Sequence, residues 1–122
     1  MSNPEIDEDG NKFWCVNGKP HRIDGPAVEF ANGNKYWYAN GNLHRLDGPA
    51  VEGRYGTKEW WVNGERHRLD GPAIEYTSET KRWYVNGKEL SGPLYLLKHG
   101  AKIEDIAEYL TPREIALCRI QK

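Results

Sequence analysis

A polar unit of four residues, His-Arg-x-Asp, occurs three times in this chain of 122 residues. Histidine and aspartate are the usual side chains of acid–base catalysis and zinc ligation, and arginine binds carboxylates and phosphates through paired N–H groups. The unit is therefore the first place to look for chemistry. Its members are His21, Arg22 and Asp24, then His44, Arg45 and Asp47, then His67, Arg68 and Asp70.

The threefold repetition argues against a catalytic or metal-binding role. An active site occurs once, whereas these units are identical and lie at positions 21, 44 and 67, which are 23 residues apart. With two strands per repeat, equivalent side chains lie roughly 10 Å apart, too far to share a zinc ion whose ligands sit at about 2 Å. The chain also lacks a glycine-rich phosphate loop and a nucleophile elbow. The sequence predicts a protein that is not an enzyme and has no catalytic residue, metal site or cofactor.

A structural role for the unit is the interpretation that the sequence favours. An Asp before Gly accepts backbone N–H bonds in a turn, and the Arg fork holds that carboxylate, or a carboxylate or carbonyl of the neighbouring repeat. The change Asp47→Ala is then expected to destabilise the protein. The change His44→Ala is expected to leave stability and metal content unchanged.

The unit belongs to a longer repeat, Lys-x-Trp-x-x-Asn-Gly-x-x-His-Arg-x-Asp-Gly-Pro-Ala. Alternation between Lys and Asn is typical of a strand, and Asn-Gly is the preferred type I′ hairpin turn. Asp-Gly-Pro bends the returning chain before a second strand, which begins at Ala27, Ala50 and Ala73. Since one hairpin cannot bury its apolar face alone, the copies must stack into an elongated array.

The tryptophans of the repeat are predicted to form the core. They occupy one position in all four copies, at Trp14, Trp37, Trp60 and Trp83. Burying an aromatic side chain removes about 150–250 Å² from water, so four of them contribute on the order of 20 kcal/mol before chain entropy is subtracted. Val16, Ala39, Val62 and Val85 share their face.

The opposite face carries aromatic side chains mixed with charge, which the repeat does not hold constant. Contiguous exposed aromatics mark interaction surfaces. The alternative is a second core layer, if the array closes on itself or the C-terminal segment covers this face. The residues predicted to contact a partner are Tyr36, Tyr38, Trp61, Arg82 and Tyr84, called the aromatic stripe below.

Residues 12 to about 93 resemble the MORN repeat in their 23-residue length, aromatic strand and Asn-Gly turn. The most specific pieces are the pairs beginning at Asn17, Asn40, Asn63 and Asn86, with a histidine three residues after each of the first three glycines. Where that family has His-Gly, this chain has His-Arg-x-Asp-Gly-Pro-Ala, which looks like a variant in repeat proteins of bacteria, phages and large DNA viruses. The resemblance implies a hairpin array that binds partners or membranes, and not an enzyme.

The two ends of the chain depart from the repeat. Residues 1–11 are predicted to be an acidic flexible tail, residues 12–92 to hold three and a half repeats, and residues 93–122 to form a C-terminal helical cap of three short helices, broken at Gly100 and at Thr111-Pro112. Thr111 to Glu114 reads as a capping box with Pro at the first helical position. A helix-turn-helix at 103–121 is the alternative, disfavoured because acidic residues offset its basic ones.

Composition sets the remaining expectations. The net charge is -1, with 17 basic and 18 acidic residues, which gives no overall attraction to nucleic acid or anionic membranes. The polar, acidic first eleven residues predict neither a secretory signal nor a membrane span, and the two cysteines, Cys15 and Cys118, are too few for a disulfide framework. A cytoplasmic protein is expected.

The sequence thus predicts a mainly β fold: an elongated array of antiparallel hairpins with a short helical cap. The expected function is non-catalytic protein binding through the aromatic stripe, as an inhibitor or adaptor of a cellular or host protein, with a homo-oligomer left open. The alternative is a small-ligand binder that stacks a nucleotide base on Tyr38, Trp61 and Tyr84, near Arg82 or Arg54.

Overall fold

The computed structural model describes residues 3–120, with side chains to residue 118, and is mainly β as predicted. Residues 1, 2, 121 and 122 of the predicted tail and cap lie outside the described part. The strands are β1 Glu5–Ile6, β2 Lys12–Phe13, β3 Cys15–Val16, β4 Lys19–Pro20, β5 Val28–Glu29, β6 Lys35–Tyr36, β7 Tyr38–Ala39, β8 Asn42–Leu43, β9 Val51–Glu52, β10 Lys58–Glu59, β11 Trp61–Val62, β12 Glu65–Arg66, β13 Ile74–Glu75, β14 Lys81–Val85 and β15 Lys88–Leu90.

Nine strands form one antiparallel sheet in the order β1-β2-β5-β6-β9-β10-β13-β14-β15. Each full repeat contributes two of them, its Lys strand and the strand after Asp-Gly-Pro. Residues in register share a face, so Val28 lies between Phe13 and Tyr36. Opposite them, Lys and Glu alternate across the sheet, as Glu29 lies between Lys12 and Lys35. Such cross-strand pairs of opposite charge contribute about 0.2–1 kcal/mol each.

The predicted hairpins are the pairs β3–β4, β7–β8 and β11–β12, which form a second row beside the main sheet. Their Asn-Gly turns have positive φ at both residues, for example 52° at Asn40 and 83° at Gly41. This is the type I′ geometry, which only Asn, Asp and Gly adopt readily.

The strand predicted from Lys to Asn is interrupted at the tryptophan in the first three repeats. The N–H of Trp37 donates to the Ala50 carbonyl of the main sheet at 2.7 Å, whereas its carbonyl accepts from the His44 N–H of the hairpin at 3.0 Å. The tryptophan is therefore the residue at which the backbone changes pairing partner. In the fourth copy β14 runs unbroken.

Neighbouring hairpins are joined by three hydrogen bonds. Between the first two repeats, Gly41 N–H donates to the Pro20 carbonyl at 2.9 Å and Arg22 N–H to the Tyr38 carbonyl at 3.2 Å. The third bond uses a side chain, because Asn40 N–H donates to Nδ1 of His21 at 2.9 Å. The same bond recurs from Asn63 to His44 and from Asn86 to His67, at 3.0 Å each.

Burial is shared between the two faces, which corrects the prediction of one tryptophan core. Trp14 and Trp83 are buried, but Trp37 and Trp60 are only half-buried. The face of the aromatic stripe supplies buried residues as well, since Val28, Val51 and Ile74 are in register with it. The sequence missed this because these residues come from the second strand, whose register with the first is a tertiary property.

The N-terminal stretch is part of the array, whereas the sequence predicted a separate tail up to residue 11. Strand β1 pairs with β2, and Asp7 and Asn11 close the turn between them through backbone and side-chain bonds. This turn matches the one from Phe30 to Asn34, with Asp9-Gly10-Asn11-Lys12 in place of Asn-Gly-Asn-Lys. Residues 5–11 therefore correspond to the second strand and following turn of a repeat, as the shared Gly-Asn-Lys indicates.

The C-terminal segment forms the predicted helices: a 3₁₀ helix at Pro93–His99, α1 at Ile103–Ile106 continued by a 3₁₀ turn at Ala107–Tyr109, and α2 at Pro112–Ile120. Gly100 ends the first with φ of 98°. The capping box is confirmed, since Thr111 N–H donates to Glu114 and Glu114 N–H donates to the Thr111 hydroxyl, at 2.8 and 3.1 Å. In the stretch that the structure describes, no helix is long and apolar enough to span a bilayer.

The histidine bonds correct the expectation for His44→Ala. Removing the imidazole leaves the Asn63 N–H without its acceptor and loosens one repeat from the next. We expect a loss of about 1 kcal/mol in the free energy of unfolding, measured by urea denaturation. His99→Ala is the control, because His99 is exposed on the first cap helix. Equal midpoints for the two variants would contradict the inter-repeat role.

Candidate partner-binding surface

The repeated arginine is the centre of the His-Arg-x-Asp unit. Its guanidinium lies over the tryptophan ring of its own repeat, and Arg45 stands 3.8 Å from the ring centre of Trp37. From there Arg45 donates to Asp47 at 2.9 Å, to the Pro49 carbonyl at 3.1 Å and to Glu52 at 3.0 Å. The other two units repeat this geometry, with Arg22 at 3.9 Å from Trp14 and Arg68 at 3.8 Å from Trp60.

These bonds decide between the roles that the sequence left open. The arginine holds the Asp carboxylate and a carbonyl as predicted, but all three acceptors belong to its own repeat rather than to a neighbour. The Asp47 carboxylate accepts from the guanidinium rather than from turn N–H groups, and this hydrogen bond and charge hold the pKa of Asp47 below its usual range. The sequence missed the ring stack and the Glu contact, although Trp and Glu recur with Arg in each full repeat.

Catalytic and metal chemistry gains no support from this arrangement. Nδ1 of each repeated histidine accepts from the next repeat, so the rings do not face one another in a common site. Within the described residues, no group of three or more His, Cys, Asp or Glu side chains lies close enough to hold a metal ion. Cys15 is exposed and Cys118 half-buried, both as free thiols.

The N-terminal half of the aromatic stripe is an apolar groove. Tyr36 and Tyr38 line a hollow of about 410 Å³ whose other walls come from both rows of strands, at Phe13, Pro20, Val28 and Phe30. The ring of Phe30 packs edge-on against Tyr36, with centroids 5.5 Å apart, and against Phe13 at 6.3 Å. Partial burial raises the pKa of the Tyr38 hydroxyl, so it stays a neutral hydrogen-bonding group.

The C-terminal half of the stripe is charged. Trp61 Nε1 donates to Glu59 at 3.0 Å, and Arg66 forms an ion pair with the same carboxylate at 3.4 Å. Arg82 is half exposed and pairs with Glu89 at 3.7 Å. Tyr84 is buried against Ala73 and Ile74. The stripe is therefore neither fully exposed nor a closed core layer: Tyr36, Tyr38 and Trp61 are half-buried, and only Tyr84 belongs to the core.

The geometry is unfavourable for the base-stacking alternative. The guanidinium of Arg66 already lies 4.7 Å from the ring centre of Trp61 and 5.5 Å from that of Tyr84. Arg54, the second candidate for a phosphate contact, packs on Tyr55 in the turn between β9 and β10. A nucleotide base would have to displace Arg66.

Sequence reasoning missed four residues of this surface: Phe30, Pro20, Val28 and Arg66. None occupies the strand from Lys to Asn on which the stripe was defined. Phe30 carried a signal, because it is the aromatic residue that ends the apolar second strand of the first repeat.

Scans against protein-family models, curated proteins and solved structures find no match to this chain. The resemblance to MORN repeats therefore stays a prediction from the repeat motif.

The stacking of arginine on tryptophan predicts that replacing the glycine of Asp-Gly-Pro destabilises the repeat. A methyl group on Gly48 would lie 2.9 Å from Cζ of Arg45, so Gly48→Ala forces the guanidinium to shift from its position over Trp37. We expect a loss of about 1 kcal/mol in the free energy of unfolding, the lower end of the cost of overpacking, because the displaced atoms end a flexible side chain. Gly92→Ala is the matched control: it also precedes a proline, but a methyl group there has no neighbour within 4 Å. Chemical denaturation of both variants measures the difference, and similar losses would show that the stack does not require glycine.

Proposed function

We propose that this chain is a MORN-like repeat protein that binds another protein through the aromatic stripe, without catalysis, as an inhibitor or adaptor in the cytoplasm. The residues assigned to the contact are Tyr36, Tyr38, Trp61 and Arg82, with Tyr84 supporting them from the core. Phe13 and Phe30 complete the contact surface.

The observation that carries the proposal is the aromatic groove spanning both rows of strands at Tyr36 and Tyr38. Its rings are half-buried and packed edge-on, so they lose little freedom when a partner covers them. Tyrosine and phenylalanine are enriched where binding energy concentrates at interfaces.

The charged half of the stripe supplies the polar rim that such interfaces have. Glu59 and Arg82 lie on the same face as Tyr36, two and four strands further along the sheet, and they and Arg66 are partly accessible. Because the sequence of the stripe changes from repeat to repeat while the structural residues do not, the stripe is where one partner can be distinguished from another.

The use of the repeated polar residues supports a non-catalytic role. Every His-Arg-x-Asp unit is engaged in holding its own repeat or joining it to the next one. The histidine, arginine and aspartate side chains of these units therefore have a structural role.

The proposal is tested with the double variant Tyr36→Ser, Tyr38→Ser. Affinity purification from the source cells, with mass spectrometry of what is retained, should recover a partner with the natural chain and lose it with the variant. Two hot-spot truncations cost about 2 kcal/mol or more each, which is enough to abolish capture.

The matched control is Tyr55→Ser, Tyr95→Ser, which removes two exposed tyrosines away from the stripe. Thermal melting of both double variants establishes that they remain folded. Equal loss of the partner with the control, or full retention with the stripe variant, would exclude this surface.

A further inference from the structure

A second kind of groove recurs along the tryptophan face, once per repeat. The first, at Trp14, lies between Ile23 and the N-terminal Asn3 and Pro4. The second has a volume of about 500 Å³ and lies between Ile23 in the His-Arg-x-Asp loop of one repeat and Trp37, Ala39 and Leu46 of the next. The following one, of about 540 Å³, lies between Leu46 and the next repeat's Trp60, Val62 and Leu69. Each of these last two grooves thus pairs the variable residue of one loop with the tryptophan of the next repeat.

The corresponding position in the last repeat is occupied by the chain itself. Leu69, Trp83 and Val85 are the equivalents of Leu46, Trp60 and Val62, and the C-terminal helices pack on them through Leu96, Ile106 and Leu110. Leu96 and Ile106 have no exposed surface left. The fourth copy has Leu90-Ser91 instead of His-Arg, and Tyr109 packs edge-on against its tryptophan at 5.2 Å.

The equivalent residues differ in exposure according to whether a helix covers them. Leu69 is half-buried under the cap, whereas Leu46 is 80% and Ile23 86% exposed. A single exposed leucine on a surface is ordinary. Here the position equivalent to Ile23 and Leu46 is Leu69, and apolar residues of the C-terminal helices cover it.

We propose that the open grooves at Trp37 and Trp60 bind an amphipathic helical segment of a partner protein, in the way the last repeat binds the C-terminal helices. This is a second interaction surface, on the face opposite the aromatic stripe. Amphipathic helices commonly dock in apolar grooves through residues spaced three or four apart. The contact between the C-terminal helices and the last repeat indicates which side chains the partner helix presents: leucine and isoleucine, with an aromatic ring beside them.

Acidic side chains around the grooves supply polar contacts for the proposed partner helix. Asp47 is 84% and Asp70 66% exposed, and each receives the arginine on one carboxylate oxygen only. Asp47 lines both grooves, and Asp70 lines the groove at Trp60. The occupant's polar flank is therefore lysine or arginine, which pair with these carboxylates.

The experiment titrates the intact protein against a labelled synthetic peptide of residues 93–117, the one occupant of such a groove that the structure contains. Fluorescence anisotropy should show saturable binding below about 1 mM, because the natural chain keeps its own cap and leaves the grooves at Trp37 and Trp60 open. Leu46→Asp should weaken binding about tenfold or more, since Leu46 borders both grooves.

Three variants make the outcome decisive. Tyr55→Asp is the control, an apolar residue of similar exposure, 76%, in a turn of the main sheet, and it should bind as the natural chain does. Ile23→Asp should weaken binding less than Leu46→Asp, because Ile23 borders the Trp37 groove and not the Trp60 groove. A peptide with Ile106→Asp should not bind. Circular dichroism checks that the exposed substitutions leave the protein folded.

The proposal is overturned by absence of saturable binding, by unchanged affinity in Leu46→Asp, or by an equal loss in Tyr55→Asp. Sedimentation of the protein alone distinguishes the remaining occupant. A dimer that Leu46→Asp converts to monomer would show that a second copy of this chain, rather than a partner helix, fills the grooves.

Discussion

The stack of an arginine on a tryptophan is the contact on which each full repeat depends. A guanidinium is flat and carries donors around its edge, so Arg45 covers the ring of Trp37 while bonding Asp47, Glu52 and a carbonyl. The three stacked arginines keep only 16% to 22% of their surface exposed, and their charge is balanced within the repeat. Each loop thereby covers one side of its own tryptophan ring, while Trp37 and Trp60 still line open grooves.

The arginine–tryptophan contact gives several other residues of the repeat motif a structural role. Glycine in Asp-Gly-Pro leaves room for the guanidinium, the proline carbonyl receives one of its N–H groups, and Ala27, Ala50 and Ala73, which follow, have no exposed surface. Histidine then joins one repeat to the next through the N–H of the Asn-Gly turn. These residues contact one another within a repeat or join it to the next, which gives a physical reason for their repetition.

The two proposed interaction surfaces consist of residues at positions that vary from repeat to repeat. On one face these are the aromatic and charged residues of the stripe, and on the other the variable residue of each His-Arg-x-Asp unit, Ile23, Leu46 or Leu69. Both faces offer open grooves, a geometry that suits extended protein segments. The end of the array shows how such a surface is covered, because the C-terminal helices fill the last position once the arginine is absent.

The sequence by itself determined the repeat, its type I′ turns, the antiparallel strands and the capped C-terminal helices, because these follow from local φ preferences and from the period of apolar residues. It did not determine the pairing of the arginine with the tryptophan ring, the acceptor role of His44, or the place of β1 in the sheet. The first two join residues that lie between strands and are well apart in the sequence, and their geometry depends on how the hairpin row turns at Trp37. The burial of Tyr84 and the half-burial of Tyr38 were likewise decided by register, since the second strand places Val28 and Ile74 on the face of the stripe.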